Sequence, residues 1–196
     1  MPGRSAVIFD FDGTLTEHYL DFDAMRAEIG VEGPILEAIE AMDEQDRKVA
    51  EAILLRHERA AAENATLREG AREAVAMCHS RGHPVGILTR NARVTLDIAL
   101  LRHGITVDAI RTRTNGAIKP SPEPVWSICR EMGADPVRSW MVGDHLFDIL
   151  AGDAAGTRTI LLIDGDSVPP YARRAQHVIS RLGELNGLID ANAHVA

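Results

Sequence analysis

A chain of 196 residues can bury one core with a small accessory module, and its 45% apolar and 26% charged content is that of an ordinary globular protein. No apolar stretch approaches a bilayer span, and a net charge of −8 carried on scattered residues argues against nucleic acid or anionic membrane surfaces as partners. Cys78 and Cys129 lack CxxC spacing and a catalytic-cysteine context, which argues against a disulfide scaffold and a zinc site.

In chain order, Met1-Pro2-Gly3-Arg4 leads into a strand with no hydrophobic leader region, so the expected location is the cytoplasm. The first strand, 5–10, carries the apolar run Val7-Ile8-Phe9 and stops at two carboxylates, Asp10 and Asp12. At the carboxyl end of a buried parallel strand such a pair repels itself unless a cation or a shared proton relieves it, and Mg²⁺ is the hard cation that oxygen donors select. Gly13 permits a tight turn that presents backbone N–H groups to an anion. Residues 17–66 form an insertion too long for a simple crossover, and they predict helices over 22–29, 34–42 and 44–63.

Beyond the insertion, strands are expected at 84–89, 107–111, 138–143 and 158–163, alternating with helices over 67–81, 92–103, 121–132 and 146–155. A short strand at 177–179 and a helix over 182–189 complete the core. The alternation implies an α/β fold, a doubly wound parallel sheet with right-handed crossovers. Three of these segments end in polar groups: Ile87-Leu88-Thr89, Lys119 before Pro120-Ser121-Pro122, and Gly143-Asp144 followed by Asp148. Each alone is an ordinary cap or surface group. GxGxxG and GxxxxGK[ST], the marks of dinucleotide and P-loop sites, are absent.

Taken together, Asp10-Phe11-Asp12-Gly13-Thr14-Leu15-Thr16, the strand ending in Thr89, Lys119 before a proline-started helix, and Gly143-Asp144 with Asp148 resemble the four motifs of the haloacid dehalogenase superfamily. The closest resemblance in organisation is to its phosphatase branch with a small helical cap, as in phosphoglycolate phosphatases. The resemblance implies a Rossmann-like core formed by residues 1–16 and 67–196, with 17–66 as a mobile helical cap that closes over the site. It implies Asp10 as nucleophile and Asp12 as general acid and base. Thr89, Lys119, Phe11, Gly13 and Arg90 would bind phosphate. Mg²⁺ would be held by Asp10, by Asp12 through its backbone carbonyl, by Asp144 and by Asp148, the last through a bound water or by positioning Lys119.

The reading is therefore a Mg²⁺-dependent phosphatase acting on a small phosphorylated metabolite through an aspartyl-phosphate, with a phosphomutase or a non-catalytic phospho-ligand-binding protein as alternatives. Asp12 argues against dehalogenation, because dehalogenases proper lack an acid at this place. The substrate and the oligomeric state are left open. His18, Tyr19, Arg90, Asn91, Arg47 and Arg56 are candidates to contact the leaving group, and Asp153 is by default a surface acid.

Overall fold

The computed structural model describes residues 3–165 and 168–191, so the first two residues of the amino-terminal reading lie outside it. Six parallel strands run β1(Val7–Phe9), β2(Val85–Leu88), β3(Ala109–Arg111), β4(Trp140–Gly143), β5(Arg158–Leu162) and β6(His177–Ile179), in the spatial order β3-β2-β1-β4-β5-β6. Val7 pairs with Val85 on one side and with Trp140 on the other, so the strand order reverses at β1. In open α/β sheets that reversal opens a crevice at the strands' carboxyl ends. Asp10, Thr89 and Asp144 each follow one of the three central strands there.

Because successive side chains of a strand face opposite ways, Val7 and Phe9 enter one core while Ala6 and Ile8 enter another. The first core is closed by α4(Ala71–Ser80), α5(Arg93–His103) and α8(Leu185–Ala191), and the second by α6(Glu123–Glu131) and α7(Leu146–Ala155). The α/β class and the parallel doubly wound sheet are as the sequence predicts. All of Val7, Ile8 and Phe9 are fully buried, as expected of a strand covered on both faces.

Between β1 and α4 stand α1(Phe22–Ile29), α2(Ile35–Glu40) and α3(Glu44–Asn64). Their starts follow local chemistry: the Asp21 carboxylate accepts from Ala24 N at 2.9 Å, and Asp43 accepts from Gln45 N and Asp46 N at 2.9 and 3.0 Å. Met25, Ile35, Ile39, Ala50 and Leu54 form a separate apolar cluster within these helices, while Ala62, near the end of α3, belongs to the main core and α3 packs along α5.

Two expected helices differ from those observed. The helix expected over 67–81 begins only at Ala71, because Arg68 N donates to Leu15 O at 3.0 Å and Leu67 bridges Thr16 antiparallel. Those residues are extended against the loop after β1, and Gly70, at φ +80°, turns the chain into α4. The helix expected over 182–189 splits into a 3-10 turn at Leu182–Glu184 and α8, with the Glu184 carboxylate accepting from Ser180 N and Arg181 N, both at 2.9 Å. Other ends shift by one or two residues, and 3-10 turns at Arg113–Asn115, Pro136–Arg138 and Pro170–Arg174 carry no helical periodicity to read.

Candidate active site

The loop that leaves β1 folds back on itself. Phe11 O accepts from Leu15 N at 2.9 Å and from Thr16 N at 3.0 Å, while the Phe11 ring is buried in the main core. Gly13 sits at φ +75°, and a Cβ there would lie 2.2 Å from the His18 ring and 2.5 Å from Asp144 Oδ2, so only glycine fits. The Gly13 carbonyl accepts from Arg68 Nη2 at 2.7 Å, and Arg68 also pairs with Asp164 beyond β5. Thr14 Oγ1 donates to Asp144 Oδ1 at 2.9 Å, tying the loop to the end of β4. Gly143 is equally constrained, since a Cβ would fall 2.2 Å from Asp148 Cγ.

At the floor, Lys119 Nζ lies 2.5 Å from both Asp10 Oδ1 and Asp148 Oδ1, with the lysine 3% exposed. The other oxygen of Asp148 accepts from His145 N at 3.0 Å, at the start of α7. A buried ammonium between two carboxylates is tolerable because every charge has a partner within hydrogen-bonding distance. Burial works against the charge of Lys119, but Asp10 and Asp148 outweigh it and hold its pKa above the ordinary lysine value. Burial also raises Asp10 to about 6, an effect Lys119 opposes and Asp144 reinforces.

Oxygen atoms of Asp10, Asp144 and Asp148 all lie within 4.8 Å of one another. Three converging carboxylates are the donor set of a hard divalent cation, so the residues present fit one. The Asp12 side chain turns elsewhere, toward Asn91 Nδ2, which donates to its Oδ2. Burial, followed by repulsion from Asp10, raises Asp12 to about 7. Thr89 is buried at the end of β2, with its hydroxyl accepting from Asn91 N at 3.2 Å.

These groups share a cavity of about 720 Å³ with side chains from the inserted helices. Asp10, Asp12, Thr89, Arg90, Asn91, Lys119, Asp144 and Asp148 line it from the core, and His18, Tyr19, Phe22, Met25, Arg26 and Glu58 line it from the insertion.

The model of the haloacid dehalogenase-like hydrolases matches residues 20–156 of this chain. The chain belongs to that family. This hydrolase is 32% identical over 170 residues to a haloacid dehalogenase-like hydrolase domain-containing protein of Arabidopsis thaliana, covering 80% of this chain and 69% of that one. It is 28% identical to the pyrophosphatase PpaX of Bacillus pumilus across 96% and 97% of the two chains. A hydrolase from Pseudomonas syringae shares its fold with a TM-score of 0.80 at 18% identity over 96% of this chain and 99% of that one. A predicted phosphoglycolate phosphatase from Haemophilus somnus gives 0.76 at 17% identity over the same shares.

Of the residues singled out from the hydrolase's sequence, Arg47 and Arg56 stand apart from the cavity lining. Arg47 Nη2 donates to Glu40 O and Met42 O at 2.7 and 3.0 Å, and Arg56 pairs with Glu28. Asp153 is exposed on α7. Sequence reasoning missed Glu58, Arg68 and Glu37. Glu58 is 2% exposed, and its carboxylate accepts from Ala92 N at 3.0 Å and pairs with Arg113. It lies on the buried stripe Ala50, Leu54, Ala61 and Ala62 of α3, and a carboxylate on an apolar stripe was the available signal.

Proposed function

We propose that this hydrolase is a Mg²⁺-dependent phosphatase of a small phosphorylated metabolite, with residues 17–66 as a cap that closes over the site and selects the substrate. The observation that carries the reading is the buried Lys119 bridging Asp10 and Asp148 at the floor of a cavity walled by the insertion.

A phosphate monoester is a dianion, so an attacking carboxylate needs fixed positive charge where the two meet. Lys119 supplies it, and Thr89 adds a hydroxyl at the end of β2. In this reading an oxygen of Asp10 forms a bond to phosphorus as the bond to the leaving oxygen breaks, and Asp12 gives that oxygen its proton. Water then attacks the phosphorus of the aspartyl-phosphate, and Asp12 takes back a proton as phosphate departs and the Asp10 carboxylate is restored. Asp12 is suited to both steps by its place beside Asp10 and by burial that leaves it easily protonated near neutrality. Mg²⁺ held by Asp10, Asp144 and Asp148, with the Asp12 carbonyl, would neutralise phosphate charge and fix its orientation.

Support for a phosphorylated substrate comes from relatives, among them the pyrophosphatase PpaX and a structural neighbour crystallised with xylulose-(1,5)bisphosphate. No helix among the described residues is long and apolar enough to cross a membrane, and a cytoplasmic location is part of the same proposal. The test is a screen of phosphorylated metabolites for phosphate release with Mg²⁺. One or more should turn over well above p-nitrophenyl phosphate, and release from none of them would refute the assignment.

A further inference from the structure

Lys119 is committed to two carboxylates at the floor, whereas Arg90, on the cavity wall, is charged against a residue from the insertion. Three elements fix its guanidinium. Nη1 donates to the backbone carbonyl of Lys119, which leaves its charge uncompensated, and the group stacks 4.7 Å from the centroid of Phe147 at the start of α7. Nη2 donates to both carboxylate oxygens of Glu37, at 2.8 and 2.6 Å.

The first two partners belong to the core and hold the guanidinium in place. Glu37 differs: it stands on α2, a helix of six residues, and its side chain is 43% exposed against 20% for Arg90. Its carboxylate can leave for water at modest cost, whereas the arginine stays. A planar guanidinium presented to a carboxylate is equally matched to a substrate carboxylate or phosphate.

We propose that Arg90 is a specificity-determining residue that receives a second anionic group on the substrate's leaving portion, a carboxylate or a further phosphate, and that Glu37 occupies this place until the substrate displaces it. The proposal rests on the phosphatase reading, and it narrows the substrate class to phosphoesters or phosphoanhydrides whose leaving group is itself an anion. Glu37 then acts as a competitor that disfavours neutral leaving groups only weakly and makes the closed cap answer to charge.

The test is isothermal titration calorimetry, with Mg²⁺ present, of phosphoglycolate, inorganic pyrophosphate and p-nitrophenyl phosphate. Each is titrated into the Asp10→Asn protein alone and with Glu37→Gln or Arg90→Gln added, and turnover of the same compounds is measured on the wild-type chain. Glu37→Gln should tighten phosphoglycolate or pyrophosphate several-fold, and Arg90→Gln should weaken the same compound by about 10- to 100-fold, the usual cost of losing a charged hydrogen-bonding partner. The p-nitrophenyl phosphate affinity should move far less in both. A response confined to phosphoglycolate identifies a carboxylate, and one confined to pyrophosphate a second phosphate. Equal shifts for all three compounds, or weaker binding of all in Glu37→Gln, would make the pair a strut between α2 and the core and overturn the proposal. Selective binding with no phosphate release by the wild-type chain from any compound of the metabolite screen would refute the phosphatase reading while leaving the anion receptor standing. Turnover with unselective binding would do the reverse.

Discussion

At the scale of single residues, Lys119 decides whether the site can exist without a metal. Removing it leaves Asp10 and Asp148 buried without their shared counter-charge, a change that typically costs about 3–5 kcal/mol. Lys119→Met should therefore lower stability by roughly that amount in urea denaturation with EDTA present. Adding Asp10→Asn should recover part of the loss, because one of the two stranded charges is gone. Unchanged stability in Lys119→Met, or no recovery in the double variant, would mean the three groups are not coupled as their 2.5 Å contacts indicate. The residues of this cluster could be found in the sequence because Asp10 follows a strand, Asp148 lies in the first turn of α7 and Lys119 stands just before the Pro120-Ser121-Pro122 run that leads into α6, and a parallel sheet brings such ends together. Glu37 and Arg68 could not, since their partners Arg90 and Asp164 are distant in the chain and nothing local marks the pairing; for Glu58 the sequence carried only its place on the apolar stripe of α3, not its pairing with Arg113.

At the scale of elements, α3 joins the insertion to the sheet through Glu58. Its carboxylate holds Ala92 N, the cap position of α5, and Arg113, whose own backbone N donates to Asn91 O at 3.1 Å. One buried acid thus braces the segment that carries Thr89, Arg90 and Asn91. Glu58→Gln keeps the shape and loses the charge, so it should destabilise by about 1.5–3 kcal/mol, the range for a charged hydrogen bond. Equilibrium unfolding checks this, and a change within about 0.5 kcal/mol, as for an ordinary surface substitution, would contradict it. Helix and strand identity were legible from periodicity throughout this region, and so was the start of α3 at Glu44, whereas the start of α4 was not. Leu67 and Arg68 fit a helical pattern as well as residues of α4 do, yet pairing with Leu15 and Thr16 holds them extended.

For the whole molecule, the cavity lies where the inserted helices meet the carboxyl ends of β1, β2 and β4, so ligands that occupy it should stabilise the assembly. Mg²⁺ at a hundred times its dissociation constant adds about 2.7 kcal/mol by mass action. For a chain of this length that amounts to a rise in Tm of roughly 5–10 °C, which Asp144→Asn should reduce. Phosphate release should stop in EDTA and return with Mg²⁺, with Ca²⁺ a poor substitute because of its looser coordination. An unaltered Tm together with full turnover after verified metal removal would contradict the role given to the three carboxylates.

The central claim is that Asp10 carries the phosphoryl group between substrate and water. Acid-quenched turnover of the best metabolite, followed by peptide mass spectrometry, tests it most directly. The account predicts a phosphoryl adduct on the peptide containing Asp10. In Asp10→Asn the adduct should be absent and turnover should fall on the order of 10³-fold or more, as for loss of a covalent nucleophile. Turnover with no adduct, and more than about a tenth of the wild-type rate left in Asp10→Asn, would contradict it.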